Sequence, residues 1–207
     1  MRASSFFLFL VCLVPSAPPL SADRQAFFSP EGYRLSEFRS PVPASLPGAQ
    51  VVNTDEVRRL LSTPDARPTL IDVLPAPIRP EGLPATSLWL PPDHNSLPGA
   101  IWLPNVGFGR LSDALDDYFR NNLERVTGGD RNRPLVIYCQ ADCWMSWNAA
   151  KRAMQDYGYT RVYWYPEGTT GWEAAGLPLE QIQPVPMVSP RRDSSSAAFS
   201  LARGQRE

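Results

Sequence analysis

A single histidine and three cysteines are all that these 207 residues offer to imidazole or thiol chemistry. A tetrahedral zinc site takes about four ligands, and once Cys12 leaves with the export signal expected below, two thiols and His94 fall short of that number. Charge of one sign is also lacking. Lys+Arg is 20 and Asp+Glu is 21, for a net −1. That balance excludes the usual basic nucleic-acid binder and the polyanionic tail. Past the N-terminus no apolar run approaches the ~18 residues of a membrane span. Proline, by contrast, is abundant: 23 residues, thirteen of them between positions 41 and 104. A helical bundle does not accommodate that density.

The N-terminus reads as an export signal. Arg2 supplies its charge, residues 6–14 its apolar stretch, and Leu20-Ser21-Ala22 a small-residue cleavage site after Ala22. Residues 1–22 are therefore expected to be removed, and Cys12 with them. Val11 precedes Cys12 and is not the small residue of a lipoprotein site. The exported chain keeps Cys139 and Cys143. In an oxidising compartment the pair forms a disulfide or must be actively kept reduced.

Residues 23–48, polar and proline-punctuated with aromatics at Phe27, Phe28, Tyr33 and Phe38, read as an irregular extension laid on a domain. The domain is expected over residues 49–183. Gln50-Val51-Val52 suggests a short strand, and Asn53 with Glu56 a capping box opening a helix with an apolar stripe at Val57, Leu60 and Leu61. Residues 69–74 have a buried-strand pattern. Residues 75–98 read as a long loop carrying Trp89 and His94. Residues 100–103 form another strand. A helix follows Ser112, with apolar positions at spacings of three and four, and Gly128-Gly129 ends it. Residues 134–138 are apolar throughout, as a central strand requires. A helix to about Tyr157 and a strand over 161–165 complete the pattern, and residues 184–207 are expected to be disordered. Strands alternating with helices predict an α/β fold, a parallel sheet with helices on both faces. Such sheets bind ligands outside the carboxyl ends of their strands, where Cys139 falls.

A cysteine at a strand end leading into a helix is expected to have backbone N–H groups aimed at its sulfur, which stabilise the thiolate. Asp142 opposes this if it points inward. Cys143 is suited to resolve an adduct on Cys139 by closing a disulfide. A plain structural disulfide is the competing reading, although so short a loop gains little chain entropy. The spacing is not Cys-x-x-Cys, and Trp144 stands where haem c attachment needs histidine. A Cu(I) site on the two thiolates stays open. His94 is expected at the surface. Trp144 and Trp147 serve either as core anchors or as walls of a pocket.

Four ordered motifs carry a resemblance. Leu70-Ile71-Asp72-Val73 resembles the first strand motif of rhodanese domains, and Leu97-Pro98-Gly99-Ala100-Ile101-Trp102-Leu103-Pro104 their "H-I-P-G-A-I-N-I-P" signature. Val136-Ile137-Tyr138-Cys139 resembles the strand ending in the catalytic cysteine. Gly171-Trp172 through Gly176-Leu177-Pro178 resembles the closing stretch. The resemblance implies a rhodanese-like five-stranded parallel sheet and a persulfide on Cys139. One departure stands out. Met145 occupies the place of the loop arginine that clamps an anion, and no arginine occurs between Cys139 and Arg152. This weakens thiosulfate transfer and phosphate-ester chemistry alike.

More narrowly, Cys-x-x-x-Cys-Trp with Pro30-Glu31-Gly32-Tyr33-Arg34 upstream resembles the exported "CXXCW motif" family. That family is associated with catabolism by pyrroloquinoline quinone (PQQ)-dependent alcohol dehydrogenases. It implies a periplasmic location, a PQQ-dependent alcohol dehydrogenase or c-type cytochrome system as partner, and PQQ or another redox cofactor as ligand. The expected site then comprises Cys139 as nucleophile and Cys143 as resolver, with Gln140, Ala141, Asp142, Trp144 and Met145 around the substrate and no metal. The expected function is sulfur transfer or thiol redox chemistry. The alternative is a non-catalytic module holding a redox cofactor, a metal or a dehydrogenase or cytochrome partner.

Overall fold

The structure, a computed structural model, describes residues 27–64, 67–77, 82, 84 and 93–187. The signal segment with Cys12, Trp89, and the tail from 188 onward lie outside the described residues.

Five strands form one sheet: β1 (Gln50–Val51), β2 (Thr69–Asp72), β4 (Ile101–Trp102), β5 (Leu135–Tyr138) and β6 (Val162–Tyr165), in the order β1-β6-β5-β2-β4. Every neighbouring pair is parallel. All four residues of central β5 are buried, because a parallel sheet is covered on both faces. Side chains alternate between the two layers. Ile71, Leu135, Ile137, Val162 and Trp164 pack with α2 (Asp113–Thr127) and α3 (Trp144–Gln155). Leu70, Val136, Tyr138 and Tyr165 meet Val57 of α1 (Thr54–Leu61) and Trp172 of α4 (Gly168–Ala174). The expected α/β architecture with helices on both faces is what forms.

Local signals set the helix ends. Asn53 accepts from the Glu56 amide while the Glu56 carboxylate accepts from the Asn53 amide, a complete capping box. Ser112 caps α2, and Gly128 ends it in the left-handed region at φ 64°.

Two features differ from the sequence reading. Part of the expected long loop is β3 (His94–Ser96), antiparallel to β7 (Glu180–Ile182) in a separate two-stranded sheet. Polar His-Asn-Ser has no strand pattern of its own, and the pairing joins segments far apart in sequence. The short α4 was also unforeseen, since Gly-Thr-Thr-Gly has low helix propensity. At the expected start of the tail, the Val185 amide donates to the Trp102 carbonyl and the Val185 carbonyl accepts from the Tyr118 hydroxyl.

Candidate functional site

β5 ends at Tyr138, and Cys139 is the next residue. Cys143 is the N-cap of α3, with extended backbone at φ −128°. Because Cys143 lies outside the helix, its side chain is not held parallel to the helical ones. The two sulfurs form a disulfide, with Cα atoms 6.6 Å apart. The turn between them passes through Asp142 at φ 52°, a left-handed conformation that Asp adopts more readily than most residues. The first turn of α4 steadies this ring. Thr169 N donates to the Cys139 carbonyl at 2.9 Å, and Ala141 N to the Thr170 hydroxyl at 3.3 Å. Gly168 permits the approach, since a Cβ there would lie 2.4 Å from the Cys139 carbonyl oxygen.

The expected exposed sulfur on an amide cradle is corrected. Cys139 is 0% exposed and Cys143 2%. The carbonyl oxygens of Gln140 and Cys143 each lie 3.6 Å from Sγ of Cys139. Among the described residues no main-chain N–H hydrogen bonds to it. Two amides of the loop are engaged elsewhere: Ala141 N on the Thr170 hydroxyl, and Trp144 N on the Phe38 carbonyl at 2.9 Å.

The Phe38 contact belongs to a roof. Residues 27–46 cross the cysteine ring and α3. Trp144 Nε1 donates to the Pro41 carbonyl and Trp147 Nε1 to the Ser45 carbonyl, at 3.2 and 3.3 Å. Both tryptophans are buried, so they anchor the extension. Arg34 lies against Phe27, Phe28 and Trp144, its guanidinium carbon 4.6, 5.3 and 5.0 Å from the ring centres. Burial pulls its pKa down. Of the other loop residues expected around a substrate, Gln140 and Ala141 are half-buried, Asp142 is exposed, and Met145 is core. Arg39, which the sequence reading did not single out, donates from Nη1 to the Ala141 carbonyl at 2.8 Å.

A second polar cluster lies on the opposite face of the sheet, again at the strand ends. Asp72, fully buried, accepts from His94 Nε2 at 2.7 Å, from the Ser96 hydroxyl, and from the Leu74 amide at 2.8 Å. Ser96 also meets the Tyr138 hydroxyl at 2.8 Å. Burial first, and then the charge of Asp72, push the Tyr138 phenol well above its ordinary pKa. His94, expected at the surface, is buried, and its ring packs on Trp102 at 4.5 Å. The carboxylate stands between histidine and serine, so no serine-to-histidine proton relay exists here. A charged residue inside the apolar run Leu-Ile-Asp-Val was the sequence signal for this cluster. Among the described residues, no group of three or more His, Cys, Asp or Glu side chains could hold a metal.

A model of the rhodanese-like domain family matches residues 53–175. No curated protein sequence is significantly similar to the chain. Among solved structures it is similar to a thiosulfate sulfurtransferase from Pseudomonas aeruginosa, at 19% identity and TM-score 0.43. That match covers 72% of this chain and 23% of the other, so it spans only about a quarter of that protein. It is similar to a polysulfide-sulfur transferase homodimer from Wolinella succinogenes at 21% identity and TM-score 0.39, covering 64% and 79%. A full-length protein from Lactobacillus plantarum matches at 17% identity and TM-score 0.41, covering 64% and 88%.

Proposed function

As the chain belongs to the rhodanese-like domain family, we propose that it is a thiol-redox protein in which Cys139 and Cys143 cycle between disulfide and dithiol. The observation that carries this reading is the disulfide itself, placed just past the carboxyl end of the central strand, where sheets of this class act on ligands. In the dithiol form the Cys139 thiolate attacks a partner disulfide, whose S–S bond breaks to release one thiolate and leave a mixed disulfide on Cys139. Cys143 then attacks that sulfur bond, closes the ring and expels the partner's thiolate. A sulfane sulfur on Cys139 leaves by the same displacement as hydrosulfide, so sulfur transfer and thiol redox share one ring.

The export signal read in residues 1–22 supports a periplasmic location, and the Cys-x-x-x-Cys-Trp resemblance supports work alongside a PQQ-dependent alcohol dehydrogenase or c-type cytochrome. The quinone belongs with that partner. It is a polycarboxylate, and Arg34, which lies against Trp144, already donates from Nε and Nη2 to the Ser36 and Glu37 carbonyls.

The total burial of Cys139 favours the competing reading, a plain structural disulfide. Equilibration of the purified protein in dithiol redox buffers, read by intact mass, decides between them. A reversible transition in the range of exchange-active pairs, about −270 to −120 mV, is expected. A pair that stays oxidised below about −300 mV is structural and overturns the redox reading.

A further inference from the structure

Met145 fills the place of the anion-clamping arginine and is itself core. A different arginine stands at the ring. Arg39 forms an isolated antiparallel bridge with Cys143, and its guanidinium donates to the Ala141 carbonyl, inside the turn that the disulfide closes. That bond uses one N–H of a group that has several. The Arg39 residue is exposed, and among the described residues no carboxylate pairs with it. Arg34, near the same ring, is buried, and its Nε and Nη2 donate to the Ser36 and Glu37 carbonyls. Asp142, in the same ring and exposed, supplies an opposing charge, and Glu37, also exposed, is two residues from Arg39.

We propose that Arg39, delivered from the N-terminal extension, makes the cysteine ring selective for anionic thiols, in place of the absent loop arginine. The inference rests on the redox reading and adds a substrate class: the exchange partner carries an acidic group beside its thiol.

The step is a thiol–disulfide exchange. A reagent thiolate forms a bond to one cysteine sulfur as the Cys139–Cys143 bond breaks. A second reagent thiolate displaces that mixed disulfide. The reagent is oxidised to its own disulfide, and the two released protein thiolates take up two protons from solvent. A guanidinium at the rim attracts the incoming anion and any further negative charge the reagent bears.

The test compares rates of reduction of the intact oxidised protein by 2-mercaptoethanesulfonate, which is anionic beyond its thiolate, and by 2-mercaptoethanol, which is not. Their ratio cancels the intrinsic ease of opening the ring. Arg39→Gln should lower the ratio about 3- to 10-fold at low ionic strength. Arg39→Lys should keep most of it. Asp142→Asn, which suits the same left-handed backbone, should raise it. Molar salt, where the screening length falls to about 3 Å, should bring the native ratio down to that of the glutamine variant. Equal ratios for the native protein and Arg39→Gln overturn the role of Arg39 and leave the redox cycle standing. If neither thiol opens the disulfide of the native protein, the redox cycle is overturned and this inference falls with it.

Discussion

Asn148 of α3 grips the main chain of Arg34 from both sides: Arg34 N donates to Oδ1, and Nδ2 donates to the Arg34 carbonyl, each at 2.9 Å. The same Nδ2 also donates to the Gly107 carbonyl at 2.9 Å. One buried amide thus ties the extension, the 104–110 loop and α3 together. Lys151 adds a bond to the Glu31 carbonyl at 2.6 Å, and Arg152 binds the Val106, Phe108 and Gly109 carbonyls. The roof over the cysteine ring is therefore part of the folded core.

Asn148→Ala strips partners from three buried main-chain groups. At about 1 to 3 kcal/mol for each group left unpaired, the loss should reach about 3 to 5 kcal/mol in urea unfolding. Amide exchange should quicken across residues 33–44 before it does in β5. A loss below about 1 kcal/mol would show that the extension is not held through this side chain.

Asp72→Ala should cost about 3 kcal/mol, because the Leu74 amide, His94 and Ser96 all lose their buried acceptor. The effect should concentrate on the β3–β7 pair, so the Asn95 and Gln181 amides should exchange faster. Ser96→Ala should cost about 1 kcal/mol. Unchanged exchange in the Asp72 variant would separate the small sheet from this network.

Alkaline pH should weaken the fold through its buried phenols. Burial pushes Tyr165 up to about 12 from 10.0. The fold prefers the neutral phenol, so its contribution is intact below pH 10 and is lost as pH rises toward 12. Burial raises Tyr33, Tyr118 and Tyr157 as well. Denaturant unfolding across that interval should show falling stability, with a shallower fall in Tyr165→Phe. A flat profile in the native protein would refute the burial argument.

Removing the disulfide should cost only modest stability. The cysteines are separated by four positions, and a ring that small constrains the unfolded chain by about 2 kcal/mol. Cys139→Ala with Cys143→Ala should therefore leave the far-ultraviolet circular dichroism intact and lower stability by about that amount. A double variant that fails to fold would mark the pair as scaffold.

Much of this molecule was readable in one dimension because its causes are local. The capping box at Asn53, the stop at Gly128, the apolar β5 and the helix stripes depend on neighbours within a few residues. Their alternation dictated the layered α/β fold and put Cys139 at a strand end. What the sequence could not settle is what touches that sulfur. Carbonyls lie beside it, Phe38 takes the Trp144 amide, and a segment some hundred residues upstream lays Arg34 on Trp144, next to the ring. His94 likewise left its expected place at the surface for a buried carboxylate. Such contacts join residues distant in the chain, and no periodicity or spacing encodes them. They are chosen only when packing decides which polar groups must find partners away from water.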